Sequence, residues 1–334
     1  MKLKELGEFG LIDQIKKRFE EDYTESVTGI GDDCAVIPKN ERELSLVTCD
    51  TLIEDIHFKM DKIEPENLGY KSLAVNISDI AAMGGKAEYA FLSLAMPGDM
   101  SCTWIDRYLG GLHDLAREEG LILLGGDTTR SPERMAITIT VIGSVDNRNV
   151  KRRSGAKPDD VICVTGYLGD SGGGLQLLLE NREVKDEQEC QLVNAHNRPK
   201  AFHSEGRWLS TQPGVHAMID ISDGLASDAS HIAKASALSL LIETERLPVS
   251  GSLKAVSKRH GWNIQQLAVS AGEDYVLLCT VDPSMIQRTQ ETYYEKFGSR
   301  LFDIGKVKKG RPGAGFLHKG RKISPGPGGF NHFG

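Results

Sequence analysis

GIGDDCAVIPKNERELSLVTCDTLIEDIHF, residues 29–58, is the stretch on which the reading of this chain turns. It opens with a glycine turn that carries adjacent carboxylates, Asp32 and Asp33. Glycine suits a tight turn because it adopts φ values that other residues resist. The apolar run at 44–47 reads as a strand. It delivers a third carboxylate, Asp50, at its carboxyl end, and His57 follows seven residues later. Acids brought together in this way repel one another unless a positive charge lies between them. Mg²⁺ is the simplest such charge, since it takes carboxylate oxygens and keeps phosphate company. A solvated acidic hairpin is the other reading of the same residues.

Outward from this stretch, residues 67–85 read NLGYKSLAVNISDIAAMGG. Leu68, Leu73, Ile77 and Ile80 recur at helical spacing, and Asn76 and Asp79, three apart, share a face. The Gly84–Gly85 pair ends the helix. Residues 87–96 predict a strand and 104–119 a second amphipathic helix. Residues 121–124 read as a short buried strand running into a turn, Gly125–Gly126–Asp127, so strand, turn and carboxylate recur. A β-rich strand at 135–142 closes the first half. The polar segment NRNVKRRSGAKPDD, 147–160, predicts the boundary between an N-terminal domain, 1–148, and a C-terminal domain, 149–334. Beyond it, a strand at 161–165 feeds GYLGDSGGGLQLLLE, a glycine-rich turn into a helix whose first amides suit an anion. HAMIDISDG, 216–224, reads as a strand ending in Asp220 and Asp223, with a helix following to about 237. SAGEDYVLLCT, 270–280, places Glu273 and Asp274 at the start of a strand. The tail, GPGGFNHFG, carries Phe330.

Composition narrows the classes. At 334 residues two domains are expected. A net charge of −7 with no basic stripe argues against nucleic acid as a partner. No apolar run approaches the roughly 20 residues of a membrane span, so no membrane partner is expected. Charges interrupt the first residues too often for a signal peptide; Phe9, Ile12, Ile15 and Phe19 predict an amphipathic helix there. Six cysteines without a CxxC pair imply neither a zinc site nor a disulfide framework, and a cytoplasmic location is expected.

There is no P-loop, no HExxH, no GxSxG elbow and no protein-kinase signature. GIGDDC half-matches a dinucleotide glycine pattern, but acids stand where a pyrophosphate would approach. The positive signal is the set Asp32, Asp33, Asp50, Asp79, Asp127, Asp220 and Asp223, all at strand ends, in turns or on helices beside them. One such Asp is an ordinary turn former or cap. Together they favour a multi-metal polyphosphate site, where catalysis is mostly positioning and charge neutralisation.

The segments GIGDDCAVI, CDTLIEDIHF, KSLAVNISDIAAMGG, LLGGDTTRS, RRSGAKPDD, VTGYLGDSGGGL, IDISDGLASD, GEDYVLL and GGFNHF, in this order, cover nearly the whole chain. In them the chain resembles the thiamine-monophosphate kinases of the aminoimidazole-ribonucleotide-synthetase-like superfamily. The resemblance implies an α/β (α+β) fold of two domains. It also implies an N-terminal sheet forming a barrel across a homodimer, and a C-terminal α/β sandwich. The implied reaction moves the γ-phosphoryl group of ATP to thiamine phosphate, giving thiamine diphosphate and ADP, with several Mg²⁺ ions.

Carried onto this sequence, the family's metal ligands fall on Asp32, Asp33, Thr48, Cys49, Asp50, Asp79, Asp127, Asp220 and Asp223, with Asp50, Asp127 and Asp220 central to catalysis. ATP contacts fall on Gly126, Asp127, Arg153 and Ser222, and thiamine phosphate contacts on His57, Glu273 and Phe330. The chemistry agrees: Arg153 can fork onto a phosphate, Phe330 offers a face to a cationic ring, and Glu273 can accept from an aminopyrimidine. The plainer readings are a packing role for His57, a tail pin for Phe330 and a linker charge for Arg153. Two positions depart from the family. Cys49 replaces a hydroxyl residue and removes a side-chain oxygen. Glu119 replaces a frequent Tyr and removes an aromatic contact with the nucleotide. An aminoimidazole ribonucleotide synthetase and an inactive metal- or nucleotide-binding protein remain as alternatives. IEDIHF and GGFNHF favour the thiamine enzyme.

Overall fold

The computed structural model describes residues 3–24, 26–180 and 183–324, so Phe330 lies outside the described residues. After helix α1 (Leu3–Phe19), β1 (Ala35–Pro38) and β2 (Glu43–Ile53) pair as an antiparallel hairpin. Helix α2 (Pro65–Ala82) follows, started by a proline in its first turn, where the missing N–H costs nothing. Then come β3 (Lys86–Met96), α3 (Cys102–Glu119), β4 (Ile122–Arg130) and β5 (Ala136–Asp146). The five strands form one sheet in the order β1-β2-β5-β3-β4. Alternate residues of β2 (Leu46, Thr48, Asp50 and Leu52) turn to the helix-covered side, as the two-residue period of a strand requires. The helices α2 and α3 touch backbone to backbone. A Cβ on Gly69 would lie 1.9 Å from the Tyr108 carbonyl oxygen, and one on Gly111 1.9 Å from that of Glu66.

The second sheet gathers β6 (Val161–Val164), β7 (Val215–Asp220), β8 (Ser239–Glu243), β9 (Leu277–Val281), β10 (Phe302–Lys308), β11 (Gly313–His318) and β12 (Arg321–Ile323). Their order is β12-β11-β8-β10-β6-β9-β7. The helices between them are α4 (Asp170–Leu179), α5 (Glu187–Asn197), α6 (His203–Ser210), α7 (Leu225–Ala235), α8 (Gly251–His260), α9 (Ile264–Ser270) and α10 (Ile286–Phe297). One face of this sheet packs on α7 and α9, through Ile232, Ala233 and Val269. The other packs on α6 and α10, through Leu209 and Tyr293, and takes in Ala81 and Ala82 from the end of α2. Leu73, Ile77 and Ile80 of the same helix belong to the first core. The single helix α2 is therefore common to both halves of a two-domain α/β fold, and the site forms along it.

Several sequence expectations need correction. Residues 121–124 are not a buried strand before a turn. β4 runs on through Gly125, Gly126 and Asp127 as an exposed edge strand, paired in parallel with β3. Asp50 is not at a strand end, because antiparallel pairing with β5 carries β2 on to Ile53. Glu273 and Asp274 precede their strand, which begins at Leu277. Helix α1 forms, but Phe9, Ile12, Ile15 and Phe19 remain exposed, and Gly7 at φ 72 kinks it. In the acid turn only Gly31 needs its φ of +137; Gly29 is small because the Tyr23 ring lies over it, 2.2 Å from where a Cβ would be.

Candidate active site

Four residues of α2 set the geometry. Asn76 Oδ1 accepts from the Asp50 backbone N–H at 3.1 Å. Asp79 accepts from the Thr48 hydroxyl at 2.5 Å. Both lie toward β2. On the side facing the second sheet, the Ser78 hydroxyl donates to Asp220, the last residue of β7, at 2.6 Å. Seven residues back, about two helical turns, Lys71 Nζ lies 3.2 Å from Glu273 Oε2. The helix thus holds acids from both domains in one place, because residues three, four and seven apart stack on one face.

Asp33, Asp79 and Asp220 converge: one carboxylate oxygen of each lies within 4.8 Å of the others. Arg153 supplies positive charge, its guanidinium donating to Asp33 at 2.6 Å and lying 3.8 Å from Asp32. It does not balance the cluster. Burial pushes Asp32 and Asp50 up to about 6 and Asp220 to about 7. Asp79 is raised well above the carboxylate range by burial and by the charges of Asp50, Asp220 and Asp33. Asp33 Oδ2 is buried without a hydrogen-bond partner, and so is Arg153 Nε. An orphaned carboxylate oxygen inside a set of crowded acids is the donor set that a hard divalent cation satisfies. The residues present fit Mg²⁺.

The other expected ligands fall elsewhere. Cys49 is exposed on the opposite face of β2, so its thiol points away from Asp50. Asp223 lies with Asp228 and His231 in a second group whose ligand atoms are also within 4.8 Å. There Asp228 accepts from the Gly224 N–H, and Phe9 of α1 covers the His231 ring at 5.1 Å. Gly126 and Asp127 are on β4. Asp127 pairs with Ser93, Ser93 with Thr138 and Thr138 with Thr51, all on the face away from α2. Within one chain Asp127 is three strands from Asp50 and on the other side of the sheet.

Toward the second domain, Glu273 sits between Lys71 and His196, whose Nδ1 is 3.2 Å from the same Oε2. Burial pushes the Glu273 carboxyl up, but the charge and hydrogen bond of Lys71 lead the interactions that hold it below the ordinary value. His57 Nδ1 accepts from the Ile53 N–H at 2.9 Å, which fixes its ring at the end of β2. The Ser222 carbonyl accepts from the Glu273 N–H at 2.7 Å. The glycine-rich turn before α4 is not free for an anion. Asp274 already receives the Gly169 and Ser171 N–H groups, at 2.6 and 3.2 Å. Glu119, the second departure, bonds His203 Nδ1 at 2.7 Å while His203 Nε2 accepts from the Ala87 N–H at 3.0 Å. Glu119 thus ties α6 to α3, His203 ties α6 to the first sheet, and neither takes part in the acid cluster. Lys71, Ser78 and His196 were not foreseen. The seven-residue step from Lys71 to Ser78 was the available signal; nothing in the sequence pointed to His196.

Comparison with known proteins places these observations. The family described as AIR synthase related protein, N-terminal domain, matches residues 31–145, and its C-terminal domain counterpart matches 157–318. A thiamine-monophosphate kinase of Bacillus subtilis is 39% identical over 278 residues, covering 83% of this chain and 84% of its own. That of Escherichia coli K12 is 36% identical over 330 residues, covering 98% of each. A solved structure described as "AaThiL complexed with AMPPCP and TMP" superposes with a TM-score of 0.86 at 34% identity, covering 99% of both chains.

Proposed function

The chain belongs to the AIR synthase related family, among its thiamine-monophosphate kinases, and from this premise we infer how its residues serve that activity. It is an ATP:thiamine-phosphate phosphotransferase, giving thiamine diphosphate and ADP. The observation that carries the mechanism is the meeting of Asp33, Asp79 and Asp220, from a turn, a helix and a strand end, with Asp33 Oδ2 buried and unpartnered. Asp32, Asp33, Asp50, Asp79 and Asp220 would hold Mg²⁺, with Thr48 orienting Asp79. When bound, Mg²⁺ supplies charge neutralisation for the transferring phosphoryl oxygens. Arg153, which holds the acid turn, and Ser222 serve the ATP phosphates. His57, Glu273 and Phe330 receive thiamine phosphate.

The acceptor needs no general base. Its phosphate has a second pKa of about 6 and is a dianion at neutral pH, with no proton to lose from the attacking oxygen. In the transfer, the bond between the β,γ-bridging oxygen and the γ-phosphorus breaks as the new P–O bond forms, and ADP departs.

Asp127 lies on the face of the first sheet away from α2, and Gly126 precedes it on the edge strand β4. In this reading they join a site across a subunit boundary of a homodimer, and Asp223 belongs to the metal set through the neighbouring group. A cytoplasmic location fits the demand for ATP and Mg²⁺. Among the described residues no helix is long and apolar enough to cross a membrane.

Incubation with ATP, Mg²⁺ and thiamine phosphate tests the reading by the appearance of thiamine diphosphate. Asp50→Asn is expected to remain folded and lose at least about 100-fold in kcat, since metal-centred charge stabilisation is worth several kcal/mol. Folded Asp50→Asn with wild-type kcat would remove Asp50 from the site. ATP consumption without thiamine diphosphate would favour a related synthetase, and neither event an inactive binding protein.

A further inference from the structure

We propose that Lys71 is a positioning residue for thiamine phosphate: it holds the Glu273 carboxylate ionised and aimed, from one domain into the other, at the substrate's aminopyrimidine. This rests on the reading that Glu273 contacts thiamine phosphate.

Lys71 is 1% exposed, in the middle of α2, and the ion pair it makes among the described residues is with Glu273. Lysine is almost never buried this completely without a partner, because taking an ammonium out of water is costly. Glu273 is different: a quarter of its side chain is exposed, so part of it remains accessible. Lys71 and His196 both land on Oε2, and Oε1 is the oxygen that in this proposal meets the substrate. His196 brings no charge, since burial and Lys71 push it down to about 4. The Ser171 hydroxyl, 3.1 Å from Nδ1, stands beside it.

The backbone beneath the carboxylate is also constrained. Glu273 and Tyr275 adopt φ of +62 and +51, which non-glycine residues rarely do. Their N–H groups donate to Ser222 and Ile221 at 2.7 and 2.8 Å. The strained segment is thus clamped to the end of β7, beside Asp220. An ionised carboxylate is acceptor-only, which matches the amino group of an aminopyrimidine; a protonated one would offer a competing O–H. Lys71 shares its helix face with Ser78, which orients Asp220. One face of α2 therefore aligns the acceptor substrate and the acid cluster together.

The test compares Lys71→Met, Lys71→Arg, Glu273→Gln and the double variant Lys71→Met/Glu273→Gln by steady-state kinetics, with thermal unfolding as a check on folding. Lys71→Met is expected to raise KM for thiamine phosphate by about tenfold or more, the scale of a charge-assisted hydrogen bond. KM for ATP should stay within about twofold, and Lys71→Arg should recover most of the loss. In the double variant, KM for thiamine phosphate should equal that of Glu273→Gln alone, because Lys71 acts through Glu273. The double variant carries no unpaired charge, so it reports even if Lys71→Met does not fold. Equal rises in both KM values, or a double variant worse than Glu273→Gln, would overturn the proposal. If Glu273→Gln itself binds thiamine phosphate normally, the underlying assignment of Glu273 is wrong instead. An impaired Glu273→Gln beside a normal Lys71→Met would refute the role of Lys71 alone.

Discussion

Asp79 shows what the site costs at the scale of one residue. Its carboxyl is crowded by Asp50, Asp220 and Asp33 and raised well above the usual range. In metal-free protein such a group binds its proton more tightly when folded than when unfolded. Ionising it destabilises the fold, and the penalty disappears as pH falls through the folded pKa toward the unfolded one. Asp79→Asn removes the penalty and keeps an oxygen to accept from Thr48. The metal-free variant should therefore melt about 2 °C or more above wild type at about pH 7.5, with turnover lost. The gap should narrow toward about pH 5 as the wild-type acids protonate. The difference between the two proteins cancels the buried His196 and His231, which titrate in the opposite sense, both being held down at about 4. Mg²⁺ should raise the wild-type melting temperature more than that of the variant. A variant less stable than wild type without metal would show that the cluster is not strained by its own charge.

Helix α2 is the element on which these residues depend, and its seat against α3 can be probed beside the site rather than in it. Gly110 and Gly111 are adjacent in α3. A Cβ at Gly110 meets nothing within 4 Å, while one at Gly111 would fall 1.9 Å from the Glu66 carbonyl oxygen. Gly110→Ala should stabilise by about 0.5–1 kcal/mol, because alanine loses less entropy in a helix. Gly111→Ala should cost about 1–3 kcal/mol, because backbone must move to admit the methyl group. Displaced α2 should also lower kcat, since Asn76, Ser78 and Asp79 move with it. Denaturant melts of the two variants check this; equal stabilities would mean the helices are not in backbone contact.

For the whole molecule the open question is the bare face of the first sheet. Tyr89, Phe91, Ile122 and Leu124 are 39%, 37%, 56% and 56% exposed there, beside Asp127. Apolar exposure on this scale, on β3 and the edge strand β4, is what a subunit interface covers. In the homodimer proposed above, Phe91→Glu should shift the protein to a monomer by light scattering and reduce kcat, because Asp127 would lose the neighbouring subunit it is proposed to serve. A fully active monomeric variant would separate the face from the reaction.

Much of the site was legible from the chain alone. The carboxylates Asp32, Asp33, Asp50, Asp79 and Asp220 stand in turns and on regular elements whose period shows in the sequence, and the ordered motifs carry the two-domain fold and the reaction class. Local signals of this kind survive because strand and helix periodicity are properties of neighbouring residues. The sequence could not separate Asp127 from the cluster, since which edge and face a strand occupies depends on pairings far along the chain. Nor could it show that Asp274 fills the glycine-rich turn, that Glu119 serves His203, or that buried Lys71 meets Glu273 across two hundred residues. Those contacts exist only once α2 is packed between two cores, where the loss of water makes each charge find its partner.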